Sequence, residues 1–363
     1  TGSLLRGEPV ASPGAFLGGF YVRRIKRLAP ALVVNVLATA LLISAVIPPF
    51  SRQLKEYYVS GQFALVGLAN MHFASLPTGY FDEGQTGLQF NPFTHCWSLG
   101  VEEQFYMLFP VMLLVLFSRR VLHGSRGWLG VAGDLRPLQL LLLTLVLSMA
   151  TCTYMSLYNA RQAYYVLPSR WWQLLSGALL ITVQDAMPRL FHFGLVKCLL
   201  TEAAAVVLLG LGLVYTPSDH AFPWPSSLVA IGAALLIITS GSLPRHRVVG
   251  ALHTPILNSK HLLAHPWIVY VGKLSYPLYL WHWPTLVLFR HTVMLRTLRM
   301  RLIALCVIVL GALFLYHVVE ATFRKWRPRR KLLAPALLLF AVVCIFVLMK
   351  LLHGPFYGTL YPF

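Results

Sequence analysis

The sequence predicts an all-α fold, a polytopic transmembrane helix bundle of about nine spanning helices plus one re-entrant segment. Of its 363 residues, 57% are hydrophobic and only 11% are charged, and the mean hydropathy is +0.68. A soluble domain carries roughly a quarter charged residues. The hydrophobic residues also recur in runs of about 20, the length that a helix needs to cross a bilayer.

Apolar runs follow one another along the chain, separated by clusters of Arg, Pro and Gly. They lie at 28–49, 57–74, 99–118, 137–157, 168–184, 196–215, 226–243, 267–289, 301–319 and 333–352. The second run is only weakly apolar, because Gly61, Gln62, Gly67 and Asn70 interrupt it. We therefore expect that run to enter the membrane and return to the same side.

The Lys and Arg residues orient the bundle. If 57–74 returns to its own side, most loop Lys and Arg gather on one face; if it spans, they are shared more evenly. The positive-inside rule prefers the first arrangement, with the cluster at 23–27 cytoplasmic and the C-terminus extracytoplasmic or lumenal. The net charge of +19 then belongs to loops that meet anionic lipid, and no nucleic-acid partner is expected.

The five cysteines are scattered, with no CxxC pair and no spacing typical of zinc ligands. We expect no metal site.

An arginine cluster precedes the first run. Arg23, Arg24 and Arg27 could simply anchor the helix on the cytoplasmic side. Arg also presents a planar, permanently charged donor fork that suits phosphate. The alternative is therefore a binding site for the phosphates of coenzyme A.

A second cluster of polar residues enters the 99–118 run. His95, Glu102 and Glu103 are the residue types that carry out general acid–base catalysis. A structural alternative is that Ser98 caps the helix and the carboxylates lie near its positive end. Adjacent Glu residues at the start of a membrane helix are costly to bury, which favours a functional role.

Aromatic and basic side chains accompany these clusters. Trp97, Tyr106 and Tyr279 could stack on sugar rings or form an interfacial belt. Arg170 could likewise bind substrate, pair with a carboxylate or anchor its helix.

His282 lies within the 267–289 run between Pro277 and Pro284. An ionisable residue in a membrane helix is a functional candidate by default, although a satisfied structural histidine is the alternative. Glu320 lies four residues before Arg324, which favours a helix-end ion pair.

Taken in order, the motifs at 20–30, 95–106, 170–177 and 275–284, followed by Glu320, resemble the acyltransferase-3 family of membrane O-acyltransferases. The resemblance implies transfer of an acyl group, usually acetyl, from cytoplasmic acyl-CoA to a carbohydrate or lipid-linked glycan outside. It assigns catalysis, acyl-CoA binding and substrate binding to particular residues: His95, Glu102, Glu103 and His282; Arg23, Arg24 and Arg27; and Trp97, Tyr106, Arg170 and Tyr279.

The resemblance also divides the chain. Residues 1–331 are expected to form the acyltransferase-3-like membrane domain without its first helices, one of which carries a histidine held to be essential in the family. Residues 332–363 are expected to be an extra linker helix and a short tail, similar to those of members that carry a C-terminal SGNH domain. The alternatives to an active enzyme are an inactive scaffold in glycan assembly or a small-molecule or proton-coupled transporter.

Overall fold

The computed structural model describes residues 12–76, 87–123, 136–186, 195–214, 223–242, 263–326 and 333–353. Within these ranges the regular elements are all helical, and each predicted apolar run coincides with one or two helices. The helices are α1 (Pro13–Ser44), α2 (Arg52–Leu65), α3 (Ala69–Ser75), α4 (Cys96–His123), α5 (Arg136–Tyr158), α6 (Ala160–Tyr165), α7 (Leu167–Ala186), α8 (Leu195–Val214), α9 (Ser227–Ser242), α10 (Pro266–Thr292), α11 (Leu298–Phe314), α12 (Ala321–Lys325) and α13 (Leu333–His353). A π-helical stretch, Leu315–Glu320, joins α11 to α12.

Helices of membrane-spanning length occur in this part of the chain. Four described segments are long and apolar enough to cross a bilayer: Pro13–Ser44, Cys96–Val115, Leu138–Tyr158 and Leu298–Lys325. Their outward faces carry large apolar side chains, such as Val115 and Leu157, each 74% exposed. Such exposure is costly in water and favourable in lipid. The prediction of a helical, multi-pass membrane protein is therefore confirmed.

The weakly apolar run at 57–74 forms two short helices, α2 and α3. They are separated at Gly67, which adopts φ 71°, a left-handed conformation that glycine accepts without steric cost. Ser51 begins α2 by accepting a hydrogen bond from the Leu54 N–H at 3.2 Å. Helices of 14 and 7 residues are each shorter than a single span requires.

The start of α4 differs from the expected position. The helix begins at Cys96, so Ser98 lies inside the first turn and is not its N-cap, and the first turn contains no acidic residue. The preceding loop contains a 3-10 turn, Leu88–Phe90, followed by hydrogen-bonded turns through residue 95. These turns continue directly into α4, which is why the helix starts earlier than the apolar pattern suggests.

The chain divides into two compact units. The first comprises Thr1–Leu17 and Phe105–Tyr270, and the second comprises Gly18–Gln104 and Val271–Phe363. In the first unit, the Ser148 hydroxyl donates to the Pro168 carbonyl (2.6 Å) and accepts from the Trp172 N–H (2.9 Å), joining α5 to α7. Helices α8 and α9 pack side by side in the same unit.

The second unit has an apolar core where α1 and α10 meet the π-helical stretch that follows α11. Ala31, Leu280, Leu315 and Val319 form this core, and Leu99 and Tyr276 pack against it. Gly311 permits a close approach between α10 and α11, because a Cβ atom there would lie 2.9 Å from the Trp281 ring. Several predicted loops and the tail at 354–363 lie outside the described residues.

Candidate active site

His95 lies in the second unit, at the end of the loop at 87–95. Its side chain is buried, with 4% of the residue exposed. The His95 ring centroid is 5.4 Å from that of His282 and 5.3 Å from that of Tyr279. Two candidate residues from α10 therefore lie beside the candidate histidine that precedes α4.

Tyr279 links these groups through its hydroxyl. The hydroxyl donates to the His95 backbone carbonyl at 2.6 Å and lies 2.5 Å from the Ser98 hydroxyl. The Nδ1 atom of His282 is 2.6 Å from the Tyr279 carbonyl. Because a carbonyl oxygen can only accept, Nδ1 of His282 carries the proton and Nε2 is left with a lone pair.

Burial controls the protonation of His95. Burial, and secondarily the neighbouring His282, lower the pKa of His95 to about 3. The imidazole is therefore neutral at neutral pH and can accept a hydrogen bond from a hydroxyl. A base with so low a pKa draws only weakly on an alcohol proton, so the second imidazole beside it is chemically important.

Glu102 and Glu103 face an arginine and not His95. Arg24 of α1 lies 3.8 Å from the Glu102 carboxylate and 3.9 Å from the Glu103 carboxylate. Glu102 is seven residues beyond His95, which corresponds to about 10 Å along the axis of α4. The sequence interpretation combined His95 with these carboxylates and kept Arg24 with the other arginines, whereas the structure pairs the carboxylates with Arg24.

The three candidate arginines of α1 have different surroundings. Arg24 is half-buried between the carboxylates, whereas Arg23 and Arg27 are exposed. The exposed guanidinium groups of Arg23 and Arg27 are accessible to a phosphate, although the charge of Arg27 also acts on the Glu320 carboxylate. Arg23 and Arg27 are thus better suited than Arg24 to hold an anionic donor.

Glu320 is a buried carboxylate of the π-helical stretch, with 4% of the residue exposed. Within the described part of the chain, its Oε1 atom has no hydrogen-bond partner and no salt bridge within 4.0 Å joins it to Arg324. These two described residues thus form no direct salt bridge, although the charge of Arg324 acts on Glu320 over a longer distance; the Arg324 guanidinium lies 5.9 Å from the centroid of the Tyr316 ring. The π-helical stretch ends at Glu320, so the i, i+4 geometry that the prediction assumed is disturbed there.

Two contacts near these residues escaped the sequence interpretation. The Tyr276 hydroxyl donates to the Leu28 carbonyl at 2.9 Å and joins α10 to α1. The side-chain amides of Asn70 and Gln104 exchange hydrogen bonds of 3.2 and 2.8 Å. Pairing between residues so far apart along the chain leaves no local signal. The polar amide of Asn70 within an apolar run did indicate that this side chain needs a hydrogen-bond partner.

The remaining candidates are held by local contacts. In the first unit, Arg170 donates from Nε to the Tyr164 carbonyl (2.9 Å) and from Nη1 to Gln173 Oε1 (3.1 Å). Its guanidinium also lies 5.0 Å from the Tyr164 ring centroid. Tyr106 belongs to that unit as well, and Trp97 is half-buried in the first turn of α4 in the second unit. Their substrate-binding roles stay predictions.

The described residues contain no group of three or more His, Cys, Asp or Glu side chains that could hold a metal ion.

Comparison with known families assigns the chain. Residues 10–317 match the family described as Acyltransferase domain. The chain belongs to the acyltransferase-3 family. This membership agrees with the resemblance found in the sequence motifs and supports acyltransferase as the enzyme class. Helix α13 lies beyond the matched residues.

Relatives named as transacylases or O-acetyltransferases align with most of the chain. "Putative membrane-bound transacylase BcsY" of Komagataeibacter xylinus is 30% identical over 85% of this chain and 70% of its own length. A "Putative O-acetyltransferase" of Staphylococcus aureus (strain COL) is 25% identical over 86% of this chain and 49% of its own length. "O-acetyltransferase OatA" of Staphylococcus aureus (strain NCTC 8325 / PS 47) is 24% identical over 78% of this chain and 43% of its own length. The chain thus spans about half or less of these staphylococcal proteins, and no solved structure matches it.

Proposed function

We propose that this protein transfers an acyl group, acetyl in the first instance, from cytoplasmic acyl-CoA to a hydroxyl of an extracytoplasmic carbohydrate or lipid-linked glycan. The observation that carries the proposal is the cluster formed by the buried His95 with the half-buried His282 and Tyr279. Along α4 from this cluster lies the Arg24–Glu102–Glu103 group. The names of the relatives, which describe O-acetyl and acyl transfer, support the reaction class.

The cluster is suited to activate a hydroxyl. The acceptor hydroxyl donates a hydrogen bond to an imidazole nitrogen of the His95–His282 pair, and its oxygen attacks the thioester carbonyl carbon. As the new C–O bond forms, the hydroxyl proton moves to the imidazole and the C–S bond breaks. The CoA thiolate leaves and takes up that proton, so that thioester and alcohol become ester and thiol. Nε2 of His282 offers a second basic nitrogen for the proton that the buried His95 would hold poorly.

The three arginines of α1 have different roles in this proposal. Arg23 and Arg27, which are exposed, hold the phosphates of the donor on the cytoplasmic side. Arg24 offsets part of the negative charge of Glu102 and Glu103, which would otherwise repel an anionic donor more strongly. Binding of the acceptor is the role proposed for four further residues: Trp97, Tyr106, Arg170 and Tyr279.

The proposed topology has about nine spanning helices, with 57–74 entering and leaving on one side. The separation of α2 from α3 at Gly67 supports a return, since neither helix alone is long enough to span. This topology places the donor arginines in the cytoplasm and the C-terminus outside.

The test uses the full-length protein in proteoliposomes with radiolabelled acetyl-CoA. Oligosaccharides of β-1,4-linked glucose and of β-1,4-linked N-acetylglucosamine serve as acceptor probes. We expect release of free CoA and label on at least one probe, and a loss of turnover of about a hundredfold or more in His95→Gln. Arg296→Gln, which changes an exposed residue, is the matched control and should retain wild-type turnover.

The outcomes test the role of His95 and distinguish an enzyme from a scaffold or a transporter. Equal turnover in wild type and His95→Gln would remove His95 from the proposed site. A complete lack of CoA release in the wild type favours a scaffold. Movement of a probe across the vesicle membrane without acetylated product favours a transporter.

A further inference from the structure

The loop at 87–95, which ends at His95, is held by side chains of one helix. Three side chains of α10 donate to backbone carbonyls of the loop: Tyr279 to His95 (2.6 Å), Trp283 to Asn91 (2.8 Å) and Arg290 to Gln89 (2.8 Å). Spacings of four and seven residues place these side chains on one face of the helix. This face follows the loop from its beginning to His95.

Trp283 and Arg290 also support one another. The Arg290 guanidinium lies 5.3 Å from the centroid of the Trp283 ring, within the range of a cation–π contact. The neighbouring His291 approaches the Phe90 carbonyl at 3.4 Å and the Tyr57 hydroxyl at 3.3 Å. Because Trp283 and Arg290 contact each other, loss of either side chain would weaken the hydrogen bond that the other donates to the loop.

The other side of the loop is anchored to α2. The Asn91 amide donates to the Ser60 hydroxyl at 2.8 Å, and its carbonyl oxygen Oδ1 accepts from the Phe93 N–H at 3.0 Å. Inside the loop, the Thr94 hydroxyl donates to the Leu88 carbonyl at 2.5 Å. The segment that precedes His95 is thus fixed from two helices and by its own turns.

We infer that Trp283 and Arg290 are positioning residues for acyl transfer, because they hold the backbone of the loop that places His95 beside His282. This inference rests on the proposed function of His95. A reacting group must be held to within about 0.5 Å of its productive position, and loop residues reach such precision only when neighbouring side chains fix their backbone. The donors contact backbone atoms of the loop and so act on its geometry.

The variants remove or shorten the donors while keeping part of the side-chain volume. Trp283→Phe keeps an aromatic ring but has no N–H to donate. Arg290→Gln shortens the donor and removes the cation, whereas Arg290→Lys keeps a charged donor. The matched controls are Trp267→Phe, at an exposed tryptophan of α10, and Arg296→Gln.

Two measurements read out the variants in lipid nanodiscs. Hydrogen–deuterium exchange of the peptide at 87–95 reports loop order independently of turnover, and kinetics with acetyl-CoA report kcat and KM. We expect exchange about fivefold faster and kcat about tenfold lower in Trp283→Phe and Arg290→Gln, with KM for acetyl-CoA within about twofold. Arg290→Lys should recover most of both, and the controls should match the wild type.

The inference and the proposed function fail differently. If His95→Gln is inactive but Trp283→Phe and Arg290→Gln keep wild-type exchange and kcat, the positioning role is overturned and the proposed function stands. If the wild type releases no CoA, the proposed function fails; if His95→Gln keeps wild-type turnover, the role of His95 fails and the positioning inference fails with it, while exchange of the loop still shows whether α10 orders it. A rise in KM with unchanged kcat would also contradict the positioning role.

Discussion

The side-chain amides of Asn70 and Gln104 are paired to each other through both of their polar ends. Asn70 donates to Gln104 Oε1 at 3.2 Å, and Gln104 donates to Asn70 Oδ1 at 2.8 Å and to the Gly67 carbonyl at 3.4 Å. Gly67 itself lies against Glu103, since a Cβ atom there would be 3.4 Å from the Glu103 Cβ. These contacts therefore hold the break between α2 and α3 against the turn of α4 that contains the candidate carboxylates.

Removing one of the paired amides should destabilise the fold. In Asn70→Leu or Gln104→Leu the partner amide loses the hydrogen bonds that the two amides exchange, at a cost of about 1–3 kcal/mol in the free energy of unfolding. The double variant should lose less than the sum of the two, with a coupling of about 1 kcal/mol, measured by unfolding in mixed micelles. Gln62→Leu, at a half-buried position on α2, is the control. Strict additivity would show that the two amides do not act as a pair.

Gly67 should tolerate no side chain without cost. Its φ of 71° is unfavourable for L-residues, so Gly67→Ala should lower the free energy of unfolding by about 1 kcal/mol or more. Gly272→Ala is the matched control, because nothing lies within 4 Å of a Cβ atom at that position of α10. Alanine there should be neutral or stabilising by up to about 1 kcal/mol. Equal effects at the two glycines would argue against the helix break described here.

Arg23 and Arg24 should respond differently to the same substitution. Arg24→Gln leaves Glu102 and Glu103 as neighbouring carboxylates without their counter-charge, so both the thermal midpoint and kcat should fall. Arg23→Gln changes an exposed cation and should raise KM for acetyl-CoA severalfold while leaving the midpoint unchanged. Adding Glu102→Gln to Arg24→Gln should restore part of the midpoint. A rise in KM alone for Arg24→Gln would instead place Arg24 among the donor-binding cations.

His95 should make stability depend on pH below neutrality. Its pKa falls from 6.5 to about 3 on folding, because the ring is buried. Between these values the unfolded chain binds a proton that the folded chain does not, so stability rises with pH and is lost as pH falls below about 6.5. The thermal midpoint in detergent should fall more between about pH 7 and about pH 5 in the wild type than in His95→Gln.

The matched comparison removes other contributions to this pH dependence. Burial also lowers the pKa of His72, but that histidine is present in both proteins and its effect cancels. Identical pH dependence of the two midpoints would mean that His95 titrates normally in the folded protein.

The helical architecture was predictable because it depends on local chain properties. Hydrophobic runs of spanning length give helices wherever they occur in lipid, and each predicted run coincides with helical structure. Helix ends were harder to predict: α1 begins at Pro13, well before the run at 28–49, and α4 begins at Cys96 and not after Ser98. The residues at these helix starts are too polar to belong to an apolar run. Capping and turn contacts, and not hydropathy, decide where a helix starts.

The sequence by itself determined the helical fold, the family and the residue types that can perform acyl transfer. The tertiary structure alone decided their partners: Arg24 with the two glutamates, His95 with His282, and the loop carbonyls with Trp283 and Arg290. The physical reason is that hydropathy and helix propensity act along the chain, whereas ion pairs and hydrogen bonds depend on which helix faces meet. Residues separated by many positions leave no trace of their pairing in a single sequence.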